Sequence, residues 1–287
     1  SRLCNEYKQK MSTKIKNLPN ISETLKKHNI IINKSLGQNF LFDLNLTDKI
    51  VKHSKSNAST IIEIGPGPGG LTRSVLKIKS GVVFTIDKDE QSEKMLNDLK
   101  LIYKDRLNII IDDALNYPIW KLGNAPRQVI ANLPYNVGTK MLINWLRYIQ
   151  NFDLLTLMFQ KEVADRIIAK PGSKNYGRLS ILTNWLTQST KLFDIPSKAF
   201  IPRPRVNSTV IQLKPLAKPL YDVPFQSLEK LTKLAFGQRR KMLKKSLQNI
   251  DGKRILEELC ISPNLRPENL SVIEFCKIAK KCYELGF

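Results

Sequence analysis

Thr60-Ile61-Ile62-Glu63-Ile64-Gly65-Pro66-Gly67-Pro68-Gly69-Gly70-Leu71-Thr72-Arg73-Ser74-Val75-Leu76 is the stretch that decides the fold. Its opening residues are β-branched and apolar but for one glutamate, the composition of a strand buried on both faces. Its closing residues open a helix. The glycines between them make a turn tight enough for a ligand to lie against backbone N–H groups and the positive end of that helix. Gly65, Gly67 and Gly70 satisfy G-x-G-x-x-G, which serves dinucleotides and other adenosine ligands alike. Glu63 weighs against a dinucleotide. A carboxylate beside the turn is a poor neighbour for a pyrophosphate and a good one for a ligand with a cationic end.

Downstream, the pattern repeats. Val82 to Ile86 reads as a strand ending in Asp87, 17 residues after Gly70. An acid at that tip can accept both ribose hydroxyls. After a helix over 90–102, Leu107 to Ile111 forms a third strand ending in Asp112-Asp113-Ala114, where a carboxylate can take an adenine amino group. The fourth strand, Gln128 to Ala131, delivers Asn132-Leu133-Pro134-Tyr135. Strands alternating with helices predict an α/β domain with a Rossmann-like parallel sheet, whose ligands sit at the strands' carboxyl ends. Taken alone, each aspartate also reads as a helix N-cap. Three tips in this order instead describe one adenosine carrying a cationic group, of which S-adenosylmethionine is the example.

Asn132 to Tyr135 offers a different chemistry. Pro134 confines Leu133 to extended backbone, so the Leu133 C=O cannot join the following helix. With the Asn132 amide it makes two acceptors beside the flat face of Tyr135. That set suits an exocyclic amino group on a planar base.

The chain has 287 residues and 47 Lys+Arg against 25 Asp+Glu, a net charge of +22. Such an excess predicts a polyanionic partner, nucleic acid above all. Several segments concentrate it. Lys170 to Arg178 is a basic Gly/Pro loop containing Lys174, Tyr176 and Arg178. Phe200, beside Arg203 and Arg205, reads either as an exposed ring that stacks on a base while the arginines hold phosphates, or as a buried ring at a loop corner. Gln238 to Lys245 reads as a helix presenting Arg239, Arg240, Lys241 and Lys244, with a seam through Met242 and Leu243. Prolines 215, 219 and 224 mark a linker, which predicts an α/β unit over 35–214 and a small all-helical domain over 215–287. Residues 1–34 read as a mobile basic arm with one amphipathic piece, Ile21 to Ile32. Four cysteines without a C-x-x-C pair and two histidines predict no metal site and a reducing compartment. No apolar run approaches the ~20 residues of a membrane span, and no secretory signal is visible. A bacterial cytoplasmic monomer is the expectation.

Together these motifs resemble the small-subunit ribosomal RNA adenine N6-dimethyltransferase family. The resemblance runs over roughly 35–285. It is carried by Gly37-Gln38-Asn39-Phe40-Leu41, the glycine motif, Asn132 to Tyr135, Gln160-Lys161-Glu162-Val163, Tyr176 to Ser180, Ala199-Phe200 with Pro202 and Pro204, and Phe236 to Lys241. It implies a class I methyltransferase sheet, S-adenosylmethionine as methyl donor, and cofactor contacts at Asn39, Leu41, Gly65, Asp87, Asp113 and Asn132, joined here by Glu63 and Gly67. It also implies dimethylation of two adjacent adenosines near the 3′ end of small-subunit rRNA within the pre-30S particle, with Asn132, Leu133, Tyr135 and Phe200 at the target base. Asp87 departs from the glutamate common in the family. Three other readings remain: a dinucleotide oxidoreductase, which leaves the charge unexplained; a DNA adenine methyltransferase; and a non-catalytic ribosome-assembly or transcription factor on the same fold.

Overall fold

The computed structural model describes residues 2–32, 38–238 and 240–287, the side chains of 2–4 and 7 excepted. Lys34 to Gly37 and Arg239 lie outside the described residues. Nine strands and twelve α-helices are described. The main sheet holds β2 (Thr60–Ile64), β3 (Val82–Asp87), β4 (Leu107–Ile111), β5 (Arg127–Asn132), β6 (Leu154–Gln160), β7 (Thr187–Ile195) and β9 (Ser208–Pro215). Their order is β4-β3-β2-β5-β6-β9-β7. The first five are parallel. Strand β9 runs antiparallel between β6 and β7. A two-stranded antiparallel pair, β1 (Phe40–Leu41) with β8 (Phe200–Ile201), lies apart from it.

Helices α1 (Arg2–Lys16) and α2 (Ile21–Lys27) precede the sheet. Then come α3 (Leu44–His53), α4 (Gly70–Ile78), α5 (Gln91–Tyr103), α6 (Gly138–Leu146), α7 (Lys161–Ile167) and α8 (Arg178–Leu186). The last four are α9 (Phe225–Gly237), α10 (Leu243–Ser246), α11 (Gly252–Glu258) and α12 (Val272–Glu284). Local chemistry sets several starts. Asp43 caps α3 by accepting from Asn45 N and Leu46 N, and Ser271 with Glu274 closes a capping box on α12.

Adjacent residues of β2 point to opposite faces. Ile61 joins the core shared with α3, α4 and α5; Ile62 and Ile64 join the core shared with α6 and α8. The second core continues without a break into Leu228, Leu243, Phe275 and Ile278 of the C-terminal helices. Burying each such side chain is worth about 1.5–3 kcal/mol, so this continuity fastens the helices to the sheet. Glu229 of α9 adds ion pairs to Arg147 and, at 2.9 Å, to Arg178.

Several expectations are corrected. Residues 1–34 hold two helices: Asn20 and Glu23 form a capping box on α2, whose Ile21 and Thr24 are buried. Strand β7 escaped sequence reading because its outer edge carries Gln188, Lys191 and Asp194 among its apolar residues. The basic segment 238–245 is not one helix. Helix α9 stops at Gly237, Lys241 N donates to Gln238 O, and α10 starts at Leu243 behind an extended Met242.

Candidate active site

A cleft opens at the carboxyl ends of β2 to β5. Gly65 of the glycine turn lines it. Gly65 and Gly67 have φ of +62° and +52°, the left-handed region that favours glycine. A Cβ on Gly67 would lie 2.1 Å from the Phe40 ring, and one on Gly70 would lie 2.2 Å from the Leu41 carbonyl oxygen. Strand β1 is thus strapped across the glycine turn in contact with its backbone, and the motif glycines are needed for that approach. The cleft is lined by Asn39, Gly65, Asp87, Asp113 and Asn132 of the expected cofactor set. Leu41 and Glu63 line a smaller cavity beside it, which Gly65 and Asn132 also border. Gly67 lies beneath Phe40, and its N–H serves the Asp87 carboxylate.

The two aspartates are already oriented. Asp87 accepts from Asp89 N at 3.0 Å with one oxygen and from the Ser92 hydroxyl at 2.8 Å with the other. Its carboxyl is pushed up by burial, against which these hydrogen bonds pull. Asp113 accepts from Leu115 N at 2.9 Å. Gln38 donates to Asp89 at 2.9 Å and so ties the β1 segment to the Asp87 network.

Glu63 is 1% exposed, and one of its oxygens has no partner. Burial pushes its carboxyl up from 4.5 to about 8; the nearby Thr72 hydroxyl opposes the shift and the Asp87 charge adds to it. An orphaned buried acid costs stability unless a cation arrives. This position therefore fits the ammonium end of a ligand whose adenosine lies along Asp87 and Asp113.

At the β5 tip, Asn132 Nδ2 donates to the Asn39 carbonyl at 2.7 Å. That carbonyl can only accept, so the amide is held with Oδ1 turned away from it. Leu133 is buried and lines the cleft, and its N–H donates to Met158 O at 3.4 Å. Neither Asn132 Oδ1 nor the Leu133 carbonyl takes a hydrogen bond among the described residues. Tyr135 also lines the cleft, its hydroxyl 2.6 Å from Ser208 Oγ.

A family profile described as "Ribosomal RNA adenine dimethylase" matches residues 29–284. The chain belongs to that family. Among its relatives, "Ribosomal RNA small subunit methyltransferase A" of Bartonella tribocorum is 46% identical over 272 residues, 92% of this chain and 98% of the relative. The protein of the same name from Rhodospirillum rubrum is 45% identical over 265 residues, 92% of each chain. A dimethyladenosine transferase from Plasmodium falciparum shares the fold, with a TM-score of 0.75, 24% identity, and coverage of 86% of this chain and 98% of that one. These comparisons support the Rossmann-like sheet read from the glycine motif and strand order, and the class I methyltransferase sheet that the resemblance implied.

Three expected contacts look different in place. Phe200 is 1% exposed and belongs to the core around Leu41 and Ile130, because β8 pairs with β1 and turns the ring inward; of its two readings the buried ring holds, and its placement as a stacking partner of the target base is corrected. Tyr176 is fully buried edge-on to Phe236, so the 170–178 loop does not offer it to a partner. Arg178 is part-buried in its ion pair with Glu229. By contrast Lys174, Arg203, Arg205, Arg240, Lys241 and Lys244 are exposed. Arg203 donates to Ser197 Oγ and Lys244 to Asn264. Sequence reading missed Ser92, Asp89 and Ser208, since only the fold brings them beside the site.

Proposed function

We propose that this chain uses Asn132, Leu133 and Tyr135 to dimethylate the N6 amino groups of two adjacent adenosines near the 3′ end of small-subunit rRNA. Bound in the cleft, S-adenosylmethionine supplies an electrophilic methyl group. Glu63, Asp87 and Asp113 would hold its ammonium, ribose and adenine, with Asn39, Leu41, Gly65 and Gly67 shaping the bed.

The target amine is a poor nucleophile because its lone pair is delocalised into the ring. Asn132 Oδ1 and the Leu133 carbonyl accept its two hydrogens, which draws the nitrogen toward tetrahedral geometry and frees the lone pair. No strong base is required, since the alkylated nitrogen is acidic. The residues contribute position and fixed dipoles. Tyr135 provides a face for the extruded base. The observation that carries this reading is the pair of carbonyl oxygens, unpartnered among the described residues, on two residues that line the cleft.

Exposed Lys174, Arg203, Arg205, Arg240, Lys241 and Lys244 would attract the phosphate backbone. Arg239 is placed with them by sequence alone. The substrate is read as rRNA within the pre-30S particle and the enzyme as a cytoplasmic monomer. Among the described residues no helix is long and apolar enough to cross a membrane.

Labelled-methyl transfer to small subunits lacking the adenine marks, with naked rRNA and duplex DNA alongside, tests this reading. Transfer to the subunit approaching four methyls on two adenosines is expected. Transfer to DNA alone, or to none of the three with cofactor still bound, overturns it.

A further inference from the structure

We infer that Ser208 is a positioning residue for the methyl-transfer reaction, acting by pinning the ring of Tyr135. This rests on the reading that Tyr135 carries the target base. The Tyr135 hydroxyl lies 2.6 Å from Ser208 Oγ, and Ser208 has no solvent exposure. Ser208 opens β9, where it is registered against Gln160 of β6 on one side and Ile195 of β7 on the other. Its hydroxyl therefore projects from a strand that cannot shift without breaking two ladders.

A tyrosine side chain has two soft torsions. Here the ring is held at both ends, by the backbone behind Pro134 and by the hydroxyl on Ser208. Its long axis is then fixed before any base arrives, and ordering cost is removed from the reaction. The same strand start closes the loop that carries Arg203 and Arg205: Asn207 Oδ1 accepts from Ser197 N at 3.0 Å, and Lys161 N donates to Asn207 O at 2.9 Å. Ser208 thus joins the base platform to the root of a basic loop. It also gives the phenol hydroxyl a job of orientation rather than proton transfer, because that hydroxyl is committed to a buried partner.

The experiment compares Tyr135→Ala, Tyr135→Phe, Ser208→Ala and the Tyr135→Phe/Ser208→Ala double variant of the full chain, using small subunits lacking the adenine marks. Ser208→Ala and Tyr135→Phe are each expected to lower kcat roughly fivefold, the scale of one lost hydrogen bond. The cofactor KM and the shape of the pH profile should stay as in the parent. The double variant should be no worse than either single one, since both remove the same contact. Parent-like kcat in Ser208→Ala beside a slow Tyr135→Phe overturns the inference and leaves Tyr135 as the platform. Losses that multiply in the double variant overturn it too, as does a pH profile altered in Tyr135→Phe. Full activity in Tyr135→Ala instead overturns the platform reading itself. If Ser208→Ala fails to fold, Tyr135→Phe with unchanged kcat still sinks the inference.

Discussion

In the cleft, Asn132 reaches the Asn39 carbonyl, Asp87 reaches Ser92, and Tyr135 reaches Ser208, each crossing to a different piece of chain or turn of helix. On the basic surface, Arg205, Arg240 and Lys241 are exposed and their side chains have no partner among the described residues. The two regions do different physical work. The proposed acceptance of two hydrogens from one nitrogen requires oxygens placed to within a fraction of an ångström, which the hydrogen bonds of the cleft would supply by fixing orientation. Attraction of a polyanion acts over about a Debye length, ~8 Å at physiological salt. Cations that serve it need not be held, and a flexible side chain can follow the phosphate.

The comparison breaks most sharply at Asn132. Asn132→Ala should lower kcat roughly a hundredfold, as loss of a preorganised dipole does elsewhere, with cofactor affinity largely kept in calorimetry. Asn132→Asp sharpens the point. It keeps an acceptor but sets a carboxylate against the Asn39 carbonyl, so it should be nearly as slow; parent-like turnover in either variant would end the case for a fixed amide. Next comes the glycine turn. Gly70→Ala places a methyl against the Leu41 carbonyl, a backbone atom that cannot step aside, and should weaken cofactor binding on the order of thirtyfold while lowering Tm. Unchanged affinity would show that the β1 strap is slack.

Glu63 gives a prediction with a sign. Its carboxyl stands at about 8 in the free protein against 4.5 ordinarily. Because the folded value is raised, its contribution to stability is fully present below about 4.5 and is lost as pH rises through about 8. An incoming ammonium stabilises the charged form and lowers that value. Binding then expels a proton, and affinity should climb as pH rises toward about 8. Glu63→Gln should bind about tenfold more weakly there and lose the climb, as should 5′-methylthioadenosine, which lacks the ammonium, on the parent protein. A climb that persists in Glu63→Gln would move the cation elsewhere. The smallest effects belong to the surface. Replacing Arg240, Lys241 and Lys244 by Ala one at a time should cost a factor of a few in RNA affinity at low salt, each lowering the salt slope by about one. An unchanged slope in the triple variant would remove that turn from the RNA contact.

Much of this architecture was readable in linear form. The β2 run followed by Gly65-Pro66-Gly67, and the acids at the ends of β3 and β4, are local patterns, because a strand tip is a sequence neighbour of the turn that follows it. Hydrophobic period and glycine spacing alone therefore placed the cleft, and the charge excess named a polyanion as partner. The expectations that failed depended on what lies across space. Phe200 beside two arginines looks exposed until β8 pairs with β1 and carries the ring into the core. Gln238 to Lys245 has helical composition until Leu243 is buried and Met242 extends. Tyr176 and Arg178 look like a loop's contacts until Phe236 and Glu229 of α9 arrive against them.

The sequence by itself determined the run of parallel strands and their turns, and with it the family and the residues proposed as adenosine-binding tips and acceptors, since all of these are written in residues adjacent along the chain. Only the tertiary structure decided which way each acceptor faces, which aromatic ring is available, and why Glu63 is a poised acid. Those properties come from burial and from partners dozens of residues away, as with Asn39 for Asn132 and Ser208 for Tyr135.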